Sequence, residues 1–172
     1  MDSRNKYVMR ALHLEKVIWD NYDDVIKLKV NKNQKTFVAP NRDSLIDAYF
    51  AVTEEGMKVY TFGIYYGKKP VGFLMISYDC PWATQYYGLP KSYYYIWRFM
   101  IDKKYQNQGF GKEALRLAIE FVKTFPCGES KGCWLSYEPE NDVARKLYLQ
   151  AGFIERLDLH KDDMEIPAVL KL

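Results

Sequence analysis

Apolar residues recur every second position in some stretches of this chain and every third or fourth in others. The switches between these two periods divide it into elements. Ala11–Ile18 predicts a first strand with Leu12, Leu14 and Val17 inward. Asn21 then reads as an N-cap, with Asp23 and Asp24 in the first turn of a helix from Tyr22 to about Val30. Asn31–Pro40 reads as a loop, and Asn41 as the cap of a second helix, Arg42–Thr53, with Leu45, Ile46, Tyr49 and Phe50 at helical spacing and Gly56 as its stop. Lys58–Tyr66 and Val71–Tyr78 carry strand patterns. The short Gly67–Pro70 connection makes them an antiparallel hairpin.

Asp79–Ser92, with Pro81, Gly88 and Pro90, reads as the longest irregular segment, either a substrate-side loop or a plain connection. Tyr93–Asp102 is a strand, Phe110–Thr124 a long amphipathic helix ended by Pro126 and Gly128, and Cys133–Tyr137 a strand. Glu140–Gln150 is a helix stopped by Gly152, and Phe153–His160 and Met164–Leu172 close the chain as two strands. The pattern predicts a mixed α/β fold in one domain, 1–172. Its mostly antiparallel sheet has about seven strands and about four flanking helices, with crossovers in the later half.

Composition narrows the function classes. The chain has 172 residues, enough to bury a core without staples. A net charge of +3 with no Lys/Arg block gives no nucleic-acid footprint, and no apolar run approaches membrane-spanning length. Three cysteines, Cys80, Cys127 and Cys133, sit at no metal-ligand spacing and read as reduced thiols. With the polar opening Met1–Arg10 they predict a cytoplasmic protein without a secretory leader. Tyrosine is abundant, with 15 residues, and either packs a mixed-polarity sheet or walls a cationic or apolar ligand.

The stretch Arg98–Lys112 holds the first candidate chemistry. A strand breaks into polar residues, and Gln106-Asn107-Gln108-Gly109-Phe110-Gly111 opens directly onto a helix. Gly109 and Gly111 let backbone N–H groups surround an anion, and the helix start adds partial positive charge. Lys112 suits the same ligand. An ordinary strand-to-helix turn would need the same glycines. Gly109–Ala114 also fits a dinucleotide fingerprint, although that motif expects its glycines right after a first strand and more βαβ units downstream.

A second candidate lies on the later helix. Asn141, Ala144 and Tyr148 share one face, with about 10 Å between the outer two at ~1.5 Å per residue. That line suits contacts along an extended, thin ligand ending at a phenol, or simple helix packing.

Together, Gln106-x-x-Gly109-x-Gly111 and Asn141-x-x-Ala144-x-x-x-Tyr148-x-x-x-Gly152-Phe153 resemble the acetyl-CoA signature of the GNAT N-acetyltransferase superfamily. The resemblance spans nearly the whole chain. Within the superfamily the chain looks most similar to bacterial spermidine/spermine acetyltransferases, through Val30-x-x-x-Gln34-x-x-Phe37-Val38, Arg98–Asp102 and Tyr137–Asn141. It implies a GNAT-type sheet splayed between its fourth and fifth strands, with acetyl-CoA as cosubstrate and no metal. The pyrophosphate would rest on the N–H groups of Gln108–Lys112, in the loop that begins with Gln106 and Asn107. The pantetheine arm would run beside Phe99, Met100 and Ile101 like an added strand and bond Asn141. A backbone N–H near Met100 or Ile101 would polarise the thioester carbonyl.

The reaction so implied is direct attack of an amine on the thioester, with Tyr148 as general acid toward the departing thiolate. Glu138, after the fifth strand, is the candidate to bind or deprotonate the amine. Asp79, Glu54 and Glu55 are other acids able to attract a polycation. Cys133 has no base to pair with and reads as a buried strand residue; His13 and His160 read as structural. The expected acceptor is a small amine, a polyamine such as spermidine or spermine. An aminoglycoside, amino acid or protein N-terminus, or a non-catalytic CoA-binding module, are the alternatives. The family's habits and the exposed strand ends are compatible with a homodimer.

Overall fold

A computed structural model of the protein describes residues 11–172. The reading of Met1–Arg10 as a polar, leaderless opening lies outside them. Five α-helices and seven strands follow one another: β1 (Leu12–Lys16), α1 (Tyr22–Ile26), α2 (Asn41–Thr53), β2 (Lys58–Tyr66), β3 (Lys69–Tyr78), α3 (Pro81–Tyr87), β4 (Tyr94–Ile101), α4 (Phe110–Lys123), β5 (Gly132–Tyr137), α5 (Asp142–Gln150), β6 (Ile154–Glu155) and β7 (Ile166–Lys171). A 3-10 turn, Lys32–Gln34, sits between α1 and α2.

The strands form one sheet in the order β1-β2-β3-β4-β5-β7-β6. Every neighbouring pair is antiparallel except β4 and β5, which run parallel. Helices cover both faces. Against one lies α4, whose Ala114, Leu115, Ala118 and Val122 are buried; Phe121 packs edge-on to Phe62 with ring centroids 4.9 Å apart. Tyr148 of α5 joins the same core, whereas α1, α2 and α3 serve the opposite face with Val25, Ala51 and Ala83. Among the described residues no helix is long and apolar enough to cross a membrane.

The structure departs from the sequence reading at several places. Asp79–Ser92 is not irregular: it contains α3, a fifth helix, with Pro81 in its first turn and Gly88 in the left-handed conformation (φ 66°) after its end. Gly88 N donates to Thr84 O at 3.0 Å, the bond of an αL stop, and Leu89 N donates to Ala83 O at 2.8 Å. Those same residues, Pro and Gly, also punctuate loops, and so pattern alone left the segment open.

Asn41 does not cap α2. It lies inside the first turn, 3% exposed, and its Nδ2 donates to Val25 O at 2.9 Å, tying α1 to α2. Asn21 does stand at the N-cap of α1, but its side chain makes no capping bond there: it accepts from Ile18 N at 2.8 Å and donates to Lys16 O at 3.0 Å. The strand expected over Phe153–His160 shrinks to β6: Arg156 N still donates to Pro167 O at 2.8 Å, and the chain then turns, with Leu159 N donating to Arg156 O at 2.9 Å.

Candidate active site

The parallel ladder between β4 and β5 is short. Tyr94 faces Cys133 and Tyr95 faces Trp134, and beyond them the strands part. β4 runs on to Ile101 against β3, with a bulge that places Trp97 between the paired residues Ile96 and Arg98. β5 runs on to Tyr137 against β7. The backbone of β4 past Tyr95 therefore has no strand partner on its β5 side. Asp102 N donates to Val71 O at 2.8 Å, so by the alternation of a strand Ile101 turns its polar groups the other way, toward the opening. Ile101 O indeed accepts there from Gln106 Nε2 at 3.0 Å. Phe99 shares that direction.

A cavity of about 310 Å³ fills the splay, passing from the α4–α5 face of the sheet to the face carrying α1, α2 and α3. Its first end is the start of α4. Asn107 and Gly109 both take left-handed conformations (φ 60° and 81°), and no side chain caps the helix. The N–H groups of Phe110, Gly111 and Lys112 are thus left to whatever approaches. At Gly111 a Cβ would meet only Leu147 Cδ2, at an ordinary 3.6 Å. Protein packing therefore gives no reason for glycine there. The space belongs to the cavity, and a pyrophosphate seated on the helix start fits it.

Gln106 lines the cavity, but its amide is committed: Nε2 donates to Gln34 Oε1 at 2.9 Å, and Oε1 accepts from Asn31 at 3.0 Å. It braces the loop against the turn before α2. Gln108, Gly109, Phe110 and Lys112, whose N–H groups were expected to hold the pyrophosphate, stand outside the cavity lining.

Midway, Phe99, Met100 and Ile101 form one wall, and Asn141 and Ala144 the other. Asn141 is the N-cap of α5: its Oδ1 accepts from Ala144 N at 3.2 Å, leaving the amide NH₂ free to donate. Tyr148 lines the cavity from α5 at 7% exposure. Burial raises its phenol, reinforced by the negative charge of Glu165 and by Tyr137. The phenol therefore stays protonated at neutral pH. Cys133 is fully buried on β5, and burial raises its thiol strongly, so it is no nucleophile.

Glu138 directly follows β5 and is half-buried, but it stands outside the residues lining the cavity. Burial raises its carboxyl, helped by Glu165 and Glu140. Asp79, Glu54 and Glu55 are also outside the lining. The acid that does line the cavity is Glu165, just before β7, which sequence reasoning missed. Its one sequence signal is a lone carboxylate opening the apolar run Ile166–Leu170.

Residues 23–153 match the Acetyltransferase (GNAT) family, and the chain belongs to it. A probable spermine N(1)-acetyltransferase of Bacillus subtilis subsp. natto is 29% identical over 152 residues, covering 83% of this chain and 88% of that protein. The fold matches a spermidine N-acetyltransferase from Vibrio cholerae, solved with CoA and spermine, at a TM-score of 0.64 and 16% identity (93% and 95% covered). It also matches an aminoglycoside acetyltransferase solved with coenzyme A, at 0.70 and 13% (94% and 95% covered). The protein is an acyltransferase of the GNAT fold.

Proposed function

We propose that this enzyme transfers the acetyl group of acetyl-CoA to a primary amine, a polyamine such as spermidine or spermine. The observation that carries the proposal is the splay itself: one continuous cavity joins the uncapped start of α4 to a buried, protonated Tyr148. Acetyl-CoA supplies an acetyl group already activated as a thioester. The N–H groups of Gln108–Lys112 hold the pyrophosphate, while Gln106 and Asn107 set the shape of the loop. Phe99, Met100 and Ile101 offer the free strand edge to the arm, Asn141 donates from its amide, and Ala144 leaves room.

Tyr148 gives its hydroxyl proton to the departing sulfur as the amine attacks directly. Glu138 draws the cationic amine toward the gap. The polyamine preference is supported by the names of the relatives at 28–29% identity and by the spermine bound in the Vibrio cholerae structure. The three free thiols support a reducing, cytosolic setting. Assembly as a homodimer rests on the family resemblance.

The test is release of free CoA from acetyl-CoA with spermidine or spermine, beside aminoglycosides, amino acids and peptides. Release with the polyamines at the highest kcat/KM is expected. Release confined to another amine would overturn the polyamine reading, and none with any amine would overturn the amine reading.

A further inference from the structure

The α1–α3 side of the cavity has chemistry of its own. Glu165 is half-buried there and accepts a hydrogen bond from Ser136 Oγ. Ser136 Oγ also lies 3.5 Å from Tyr95 Oη. Tyr87 of α3 donates its hydroxyl to the Glu165 backbone carbonyl at 3.3 Å. The carboxylate is therefore aimed by β5 and its backbone is anchored by α3. Trp97 lines the same cavity, 6.3 Å from Tyr95, which in turn stacks on Trp134 at 3.8 Å.

Charge is what this end lacks. The titratable groups close enough to Glu165 to interact with it are Tyr87 from α3, Tyr95 from β4, Glu138 after β5, and Tyr148 from α5. Arg98 is the one cation among the residues lining the cavity, and it is already held by Asp47 at 3.4 Å, by the Trp97 carbonyl at 3.0 Å and over the Trp97 ring. Among the described residues no lysine, arginine or histidine pairs with Glu165. A half-buried carboxylate in a cavity that Trp97 and Tyr148 also line, with a hydroxyl for company and no counter-ion, is arranged for a cation from outside.

Resting on the amine-acetyltransferase reading, we propose that Glu165 is the catalytic base: it receives the ammonium group of the acceptor amine and takes its proton within the splay. One N–H bond of the ammonium breaks, the proton goes to the carboxylate, and the electron pair stays on nitrogen. That pair forms the new C–N bond as sulfur leaves with the C–S pair. Tyr148 gives the sulfur a proton and regains one from the nitrogen, while the proton on Glu165 passes to solvent. Glu138, outside the lining but close enough to feel Glu165, meets a second ammonium of the same chain. Two carboxylates in sequence favour an acceptor with more than one positive charge.

Glu165→Gln is the test, made in the full chain and read three ways. CoA binding is expected to match wild type, showing an intact fold. Spermine should stabilise the CoA-bound wild type thermally but not the variant. The kcat/KM for spermidine should fall ~100-fold near neutral pH. It should then climb with pH toward the amine's own pKa of about 10, because only amine already neutral reacts. Wild-type behaviour of the variant in spermine stabilisation and pH profile overturns the proposal. Should Glu165→Gln not fold, Glu165→Asp, which withdraws the carboxylate by one methylene, must show at least a tenfold loss; equality with wild type overturns it. If wild type itself acetylates no amine, it is the proposed function that fails.

Discussion

Two helices begin at the splay, and they begin in opposite ways. α5 starts with Asn141, whose side chain satisfies the N–H of Ala144, and is tied down by Arg145, which pairs with Glu155 at 2.7 Å while Tyr137 donates to the same carboxylate. α4 starts with left-handed Gly109 and no side-chain cap, and its Arg116 reaches only the exposed Glu113 and Glu120 of its own surface. Capping residues such as Asn typically add about 1 kcal/mol. That stabilisation is present at the helix that carries Tyr148, and absent at α4, whose first N–H groups no side chain takes. One helix start is finished by a side chain of the protein, and the other is left open.

The largest break in this comparison comes from removing what α5 holds in place. Tyr148→Phe should leave CoA affinity within threefold of wild type while kcat falls ~100- to 1000-fold, measured by titration and steady-state rates. Next, Gly111→Asp sets an anion at the open start of α4. Thermal melts should show the free protein unchanged or more stable, since a side chain replaces a helical glycine and a carboxylate suits the dipole. CoA affinity should nonetheless drop at least tenfold, from like-charge repulsion near the pyrophosphate.

Asn141→Ala, at the finished end, should do the reverse, lowering stability by ~1 kcal/mol in denaturant melts and weakening CoA only severalfold. The smallest effect concerns Glu155. Arg145 first, and then Tyr137, hold its carboxyl below the usual range. Its contribution is therefore present above the unfolded carboxylate value of about 4.3 and lost as pH falls through the lower folded value. Glu155→Gln should melt within about 3 °C below wild type at pH 7. That difference should vanish near pH 3.

How much of this was legible beforehand follows the range of the interactions. The β2–β3 hairpin and α4 were plain, because each is encoded in its own periodicity. The glycine loop and the face Asn141–Ala144–Tyr148 were plain because short spacings alone place their residues. α3 was lost because Pro81 and Gly88 serve loops as readily as helices. Gln106 lines the cavity, but the partners of its amide, Asn31 and Gln34, lie 75 and 72 positions away and leave no mark in the local pattern. Glu165 was missed for the same reason. Its meaning comes from Ser136, 29 positions earlier, and from Tyr87, 78 positions earlier. Glu138 was visible because it sits beside a strand that pattern had already placed.

The short ladder between β4 and β5 also divides the protein mechanically. β1–β4 form an antiparallel meander that closes through near neighbours in the chain, and β5–β7 form a second antiparallel group. Between the two sub-sheets only Tyr94 and Tyr95 pair with Cys133 and Trp134, backed by the Tyr95–Trp134 stack. The absence of pairing that leaves room for a substrate also removes the hydrogen bonds that would weld the halves into one unit. In amide exchange the two sub-sheets are natural cooperative units, and a molecule spanning the splay would serve as the missing weld, slowing exchange on both sides at once.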